Sequence, residues 1–111
     1  MTIQDRKAAV EAYRERKVRA GIYAVRCGPS GQAWVGRAPD LSTIQNRIWF
    51  ALRHGGSPHR TLQAAWREQG PDAFAFEILE ELEPEESRYL RDRALKERAG
   101  YWSEKLQATS I

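Results

Sequence analysis

Two short β-rich runs around a tight turn constrain this chain more than any other feature. Gly21-Ile22-Tyr23-Ala24-Val25-Arg26-Cys27 and Gln32-Ala33-Trp34-Val35-Gly36 flank Gly28-Pro29-Ser30-Gly31. Proline presets one turn dihedral and glycine admits positive φ, so the spacing predicts an antiparallel hairpin.

After Pro39 the apolar period changes. Ser42-Thr43-Ile44-Gln45 has the form of a capping box, and Ile44, Ile48, Ala51 and Leu52 then share one helical face, with Arg47, Ala51 and His54 on a neighbouring one. The pattern predicts a helix over Ser42 to Arg53. Gly55-Gly56 breaks it, and Ser57-Pro58 restarts a second helix, with Leu62, Ala65 and Trp66 as its buried face and Gly70-Pro71 as its end. Ala73 to Leu79 alternates, with Phe74, Phe76 and Ile78 on one side, and reads as a third strand. A last helix is expected from near Pro84, with Glu85 and Glu86 at its positive dipole end, to about Leu106. Ahead of the hairpin, Ile3 to Ala20 reads as a charged helix with a narrow apolar stripe at Ala9, Val10, Tyr13 and Val18.

The expected architecture is therefore α+β: a small three-stranded mixed sheet flanked by helices, with residues 1–20 as a helical extension and 21–111 as one domain. Trp49, Phe50, Trp66, Phe74, Phe76 and Trp102 are read as core, and Cys27 as a small buried apolar group. At 111 residues the chain suits a single modest core. One cysteine excludes an internal disulfide and a thiolate zinc site, and points to a reducing cytoplasmic setting. No apolar run is long enough for a membrane span, and the charged first twenty residues do not read as a secretory leader.

The net charge of +3 conceals an asymmetry. Up to Gly70 there are twelve Lys or Arg against five Asp or Glu; from Pro71 onward six bases face ten acids. The split is read either as one surface that meets a polyanion or as charge scatter on a small protein.

Taken in order, Gly21-Ile22-Tyr23, the turn, Trp34-Val35-Gly36, the helical Arg47, Leu62-Gln63 with Trp66, Gly70, and Phe74 through Phe76-Glu77-Ile78-Leu79-Glu80 resemble the GIY-YIG nuclease family over roughly residues 21 to 103. The resemblance implies a catalytic domain that hydrolyses DNA phosphodiesters with a divalent metal, Mg or Mn. By the same resemblance Tyr23 is the general base or water-positioning group, and Arg47 steadies the phosphate. A phenol with a pKa of about 10 needs neighbouring positive charge for that role, assigned here to Arg26 or Arg37.

The chain also departs from the family pattern. Trp34 replaces the second tripeptide's tyrosine, and the histidine one turn past Arg47 becomes Ala51, with His54 a further turn along as its substitute. Aligning Trp102 with the tryptophan three residues past the family's metal-binding glutamate puts Ala99 in the carboxylate's place. Glu97 is the candidate relocated ligand and Asp92 its alternative. Glu97 points about 200° around the helix from Ala99, and Asp92 sits about 10 Å back along the axis.

Three readings result. The first is an endonuclease using Tyr23, Arg47, Trp34 and His54. The second is a catalytically impaired nuclease fold that binds DNA, with Arg26, Arg37, Arg47, Arg53, His54, His59 and Arg60 lining one concave face. The third is a protein-interaction module docking a partner through the leading helix.

Overall fold

The computed structural model describes residues 19–111. The leading helix and its docking face therefore lie outside the described residues, apart from Arg19 and Ala20, which are not helical. The chain runs β1 (Gly21–Cys27), β2 (Ala33–Ala38), α1 (Leu41–Arg53), α2 (Arg60–Gln69), a 3-10 turn (Pro71–Ala73), β3 (Phe74–Glu81), α3 (Arg88–Leu106) and β4 (Thr109–Ser110). No helix among the described residues is long and apolar enough to cross a membrane.

The architecture is α+β, as expected, but the sheet has four strands rather than three, in the order β3-β1-β2-β4. β1 pairs antiparallel with both β2 and β3; the mixed character comes only from β4, which runs parallel to β2. Two residues carry no readable period, so β4 is invisible to pattern analysis. Its place is set by contacts across the fold: Gln107 adopts a left-handed conformation at the end of α3, Ile111 N–H donates to the Val35 carbonyl at 2.9 Å, and the Ser110 hydroxyl donates to Ser103 Oγ at 2.9 Å.

Alternation along β1 builds two cores, one on each sheet face. Tyr23, Val25 and Cys27 join Trp34, Ile48, Leu52, Leu62 and Ala65 under α1 and α2. Ile22 and Ala24 join Val35, Leu95 and Ala99 under α3. Cys27 is buried, as read from the sequence.

Helix starts differ from expectation in each case, because a better cap or tie lies nearby. α1 begins at Leu41: Asp40, not Ser42, is the cap, accepting from the Ser42 N–H at 3.0 Å and from its hydroxyl at 2.6 Å. α2 begins at Arg60 rather than Pro58, because Ser57 to His59 is held in an irregular turn. There Ser57 N–H donates to Gln63 Oε1 at 3.1 Å, and His59 N–H donates to Ser57 Oγ at 3.2 Å. α3 begins at Arg88, capped by Ser87, whose Oγ accepts from Leu90 N–H at 3.2 Å; Glu85 is used instead to accept from Ser87 N–H at 2.9 Å.

A β-bulge between Ile22 and Tyr23 changes the fate of one acid. Ile22 pairs with Glu80 while Tyr23 pairs with Ile78, so Leu79 is the extra residue and Glu80 shifts to the α3 face. There Glu80 Oε1 accepts from Arg98 Nε at 2.7 Å and Trp102 Nε1 at 2.9 Å, tying β3 to α3. Desolvation alone would push the Glu80 carboxyl up; the Trp102 and Arg98 hydrogen bonds and the Arg98 charge outweigh it and hold the pKa below the ordinary 4.5. Glu81, hydrogen-bonded by Arg19, and Asp40, hydrogen-bonded by Ser42, are also held low.

All three carboxyls bind a proton less readily folded than unfolded. Their stabilisation is complete above about pH 4.5 and is lost as pH falls through the folded-state pKa values. The melting temperature is expected to drop between neutral pH and about pH 3, and a Glu80→Gln variant should show a shallower drop. A parent protein melting at one temperature across that range would contradict the assignment.

Candidate functional site

The face of the sheet under α1 carries a cavity of approximately 520 Å³. Its polar lining is Tyr23 from β1, Asn46 and Arg47 from α1, and Ser57 and His59 from the α1–α2 connection; its apolar walls are Ile44, Ile48, Phe50, Ala51 and Pro58. Helical spacing explains the α1 contribution, since Asn46, Arg47, Phe50 and Ala51 fall on one stripe. The connection is fixed by buried Gln63, whose Oε1 accepts from Ser57 N–H and whose Nε2 donates to the Leu52 carbonyl at 3.1 Å.

Tyr23 is nearly fully buried, at 4% exposure, and stacks on Phe76 with centroids 5.3 Å apart and 16° between planes. Gly36, its register partner on β2, is the floor beneath the phenol: a Cβ built there would fall on the Tyr23 hydroxyl and ring carbons. The glycine of the second tripeptide is thus required by the tyrosine of the first. Gly21 has a similar role on the other side, where a Cβ would collide with the Glu80 carbonyl and the Leu41 side chain.

Burial pushes the Tyr23 pKa above its ordinary 10.0, and the opposing pull of the Arg47 charge does not overcome it. At neutral pH the phenol therefore keeps its proton and can offer it as a hydrogen-bond donor. The cation facing it is Arg47, not Arg26 or Arg37. Those two lie on the opposite sheet face, since Arg26 follows Ala24 by two residues and Arg37 pairs with Ile22. Arg26 is moreover engaged by Glu77 at 2.9 Å. Burial lowers the His59 pKa from 6.5, so its imidazole is neutral at pH 7.

Several other residues picked from sequence fall elsewhere. Trp34 is 1% exposed, and its indole N–H donates to Thr61 Oγ1 at 2.9 Å, in the core between β2 and α2. His54 does not line the cavity; it packs on Phe50 with ring centroids 4.2 Å apart. Arg53 donates to the Trp49 carbonyl at 3.3 Å, and neither it nor Arg60 lines the cavity, so of the expected concave cationic face the cavity lining keeps one cation, Arg47, with the neutral His59 beside it. Glu97 pairs with Arg93 at 3.4 Å and Asp92 with Arg91 at 3.1 Å, both on α3. Ala99 is buried against the other face of the sheet from Tyr23.

Sequence reasoning missed Asn46, Ser57 and the role of Phe50. Phe50 was expected in the core, yet it is 60% exposed on the cavity side of α1. The available signal was its position one turn from Asn46 and Arg47, a turn before His54, rather than on the Ile44–Ile48–Leu52 face.

No family model and no curated protein matches the chain. Two solved structures match it strongly. The catalytic domain of the homing endonuclease I-TevI shares 25% identity at a TM-score of 0.70, over 84% of this chain and 98% of that one. A glutamate-to-alanine mutant of the catalytic domain of the intron endonuclease I-TevI shares 27% identity at a TM-score of 0.67, over 80% and 84%. With the Tyr23 hairpin and the Arg47 helix set side by side on that framework, the chain has the GIY-YIG nuclease-like fold.

Proposed function

We propose that this nuclease-like domain acts on DNA by seating a backbone phosphate in the Tyr23–Arg47 cavity. Arg47 pairs with non-bridging oxygens and the neutral Tyr23 phenol donates to one of them. The observation that carries this reading is the convergence of a protonated phenol and a guanidinium in one cavity that no acidic side chain lines.

GIY-YIG nucleases are generally divalent-metal dependent. The donor set here does not fit such an ion. Magnesium or manganese takes hard oxygen ligands, with one or two carboxylates as the usual anchor, whereas Glu97 and Asp92 are held by arginines on α3 and Ala99 is methyl-sized and buried. Among the described residues no three His, Cys, Asp or Glu side chains come together. The residues present therefore support phosphate binding rather than metal-assisted hydrolysis. A second reading, endonuclease cleavage, is favoured by the likeness to two catalytic domains and requires a carboxylate from outside the described site.

Two assays separate the readings. In a mobility shift, affinity for duplex DNA should fall with rising salt, Arg47→Ala should weaken binding about tenfold, and Tyr23→Phe should weaken it about threefold. Unchanged affinity in Arg47→Ala would overturn the phosphate assignment. In a plasmid assay with magnesium or manganese, supercoiled DNA should persist; nicking that both substitutions abolish would establish the second reading instead.

A further inference from the structure

The same cavity is larger and less polar than a phosphate requires. At approximately 520 Å³ it falls in the range of pockets that enclose whole organic ligands. Beyond Arg47, its walls include Ile44, Ile48, Phe50 and Pro58, which offer a phosphate nothing but suit a flat aromatic ring.

Phe50 is the informative member. A phenylalanine at 60% exposure on a helix contributes little to the core, yet this ring is braced. His54 lies against it with centroids 4.2 Å apart, and His54 Nδ1 sits 2.9 Å from the Phe50 carbonyl oxygen, which ties the imidazole back to the helix. His54 is absent from the cavity lining while Phe50 is part of it, so the imidazole backs the ring from outside. Asn46, Ser57 and His59 add donors and acceptors that can meet a base edge.

We propose that this cavity receives an unpaired nucleobase stacked on Phe50, beside the backbone phosphate held by Arg47. The substrate class is then DNA with an extrahelical or single-stranded nucleotide, because a base inside an intact duplex does not reach a side pocket. The inference rests on the DNA reading above and adds base capture to it. Base–aromatic stacking is tolerant of base identity, so the preference is for an unpaired nucleotide rather than for a sequence.

The test is anisotropy on three labelled duplexes: one fully paired, one with a single-nucleotide bulge, and one whose bulged nucleotide is abasic. The ordinary bulge should bind about 10- to 100-fold more tightly than the abasic one. Phe50→Ala should erase that difference; the site is exposed and alanine is the best helix former, so the fold persists. Phe50→Trp should keep the preference. Equal affinity of the parent protein for the two bulges, or a preference that survives Phe50→Ala, overturns base capture alone. Failure to bind any of the three duplexes overturns the DNA reading and base capture together.

Discussion

Replacing Trp34 by alanine is expected to lower the free energy of unfolding by about 4 kcal/mol, the range found when a large buried aromatic is truncated. The indole is 1% exposed, packs on Phe74 with centroids 6.3 Å apart, and donates to Thr61 Oγ1, so it bolts β2 to α2. Trp34→Phe should lose about 1–2 kcal/mol, because the ring volume is mostly kept while the Thr61 hydrogen bond is not. Urea denaturation followed by circular dichroism measures both. For a small domain of ordinary stability, the alanine variant is left close to unfolding at body temperature. A Trp34→Phe protein with unchanged stability but no DNA affinity would return the indole to the functional site.

Trp34 also shows where the sequence stops being readable. Its place in the second tripeptide is plain from the order Trp34-Val35-Gly36, and the structure keeps that tripeptide on the strand paired with β1. What the order of residues does not carry is depth. How a buried strand aromatic is used depends on what the next layer offers, here Thr61 and Phe74 for Trp34 but Arg47 across the edge of the cavity for Tyr23. The hairpin, the three helices after Pro39 and the third strand follow from period and turn chemistry, which are local, and all of these are present among the described residues. The fourth strand and the exact helix starts depend on contacts made across the fold, so they were beyond a periodicity argument.

The bulge at Leu79 makes the same point for charge. Simple alternation puts Glu80 on the face of Phe74, Phe76 and Ile78, within the reach of the Tyr23 site as a candidate acid. One extra residue in the register turns it to the α3 face, where Arg98 and Trp102 consume it. The acid-poor character of the cavity is thus a product of topology as well as composition. Arg26 and Arg37 are removed from the site by strand parity alone, which was legible once the hairpin register was known.

The cavity itself depends on a residue with no side chain, and Gly36→Ala should remove about 3 kcal/mol of stability while disabling DNA binding. The added methyl would occupy the space of the Tyr23 phenol, which has no easy retreat: its ring is stacked on Phe76 and its strand is pinned by pairing on both sides. Relief requires either a shift of β2 away from β1 or an off-rotamer tyrosine, and each moves the hydroxyl away from Arg47. A Gly36→Ala, Tyr23→Phe double variant still clashes through the ring carbons, so most of the loss should persist. Pairing Gly36→Ala with Tyr23→Ala deletes the ring and should recover stability relative to the sum of the two single losses, without restoring affinity. A double-mutant cycle read by urea denaturation measures that coupling. Strict additivity would mean that the phenol and the glycine do not share the space assigned to them, and the positioning of the hydroxyl over β2 would fall with it.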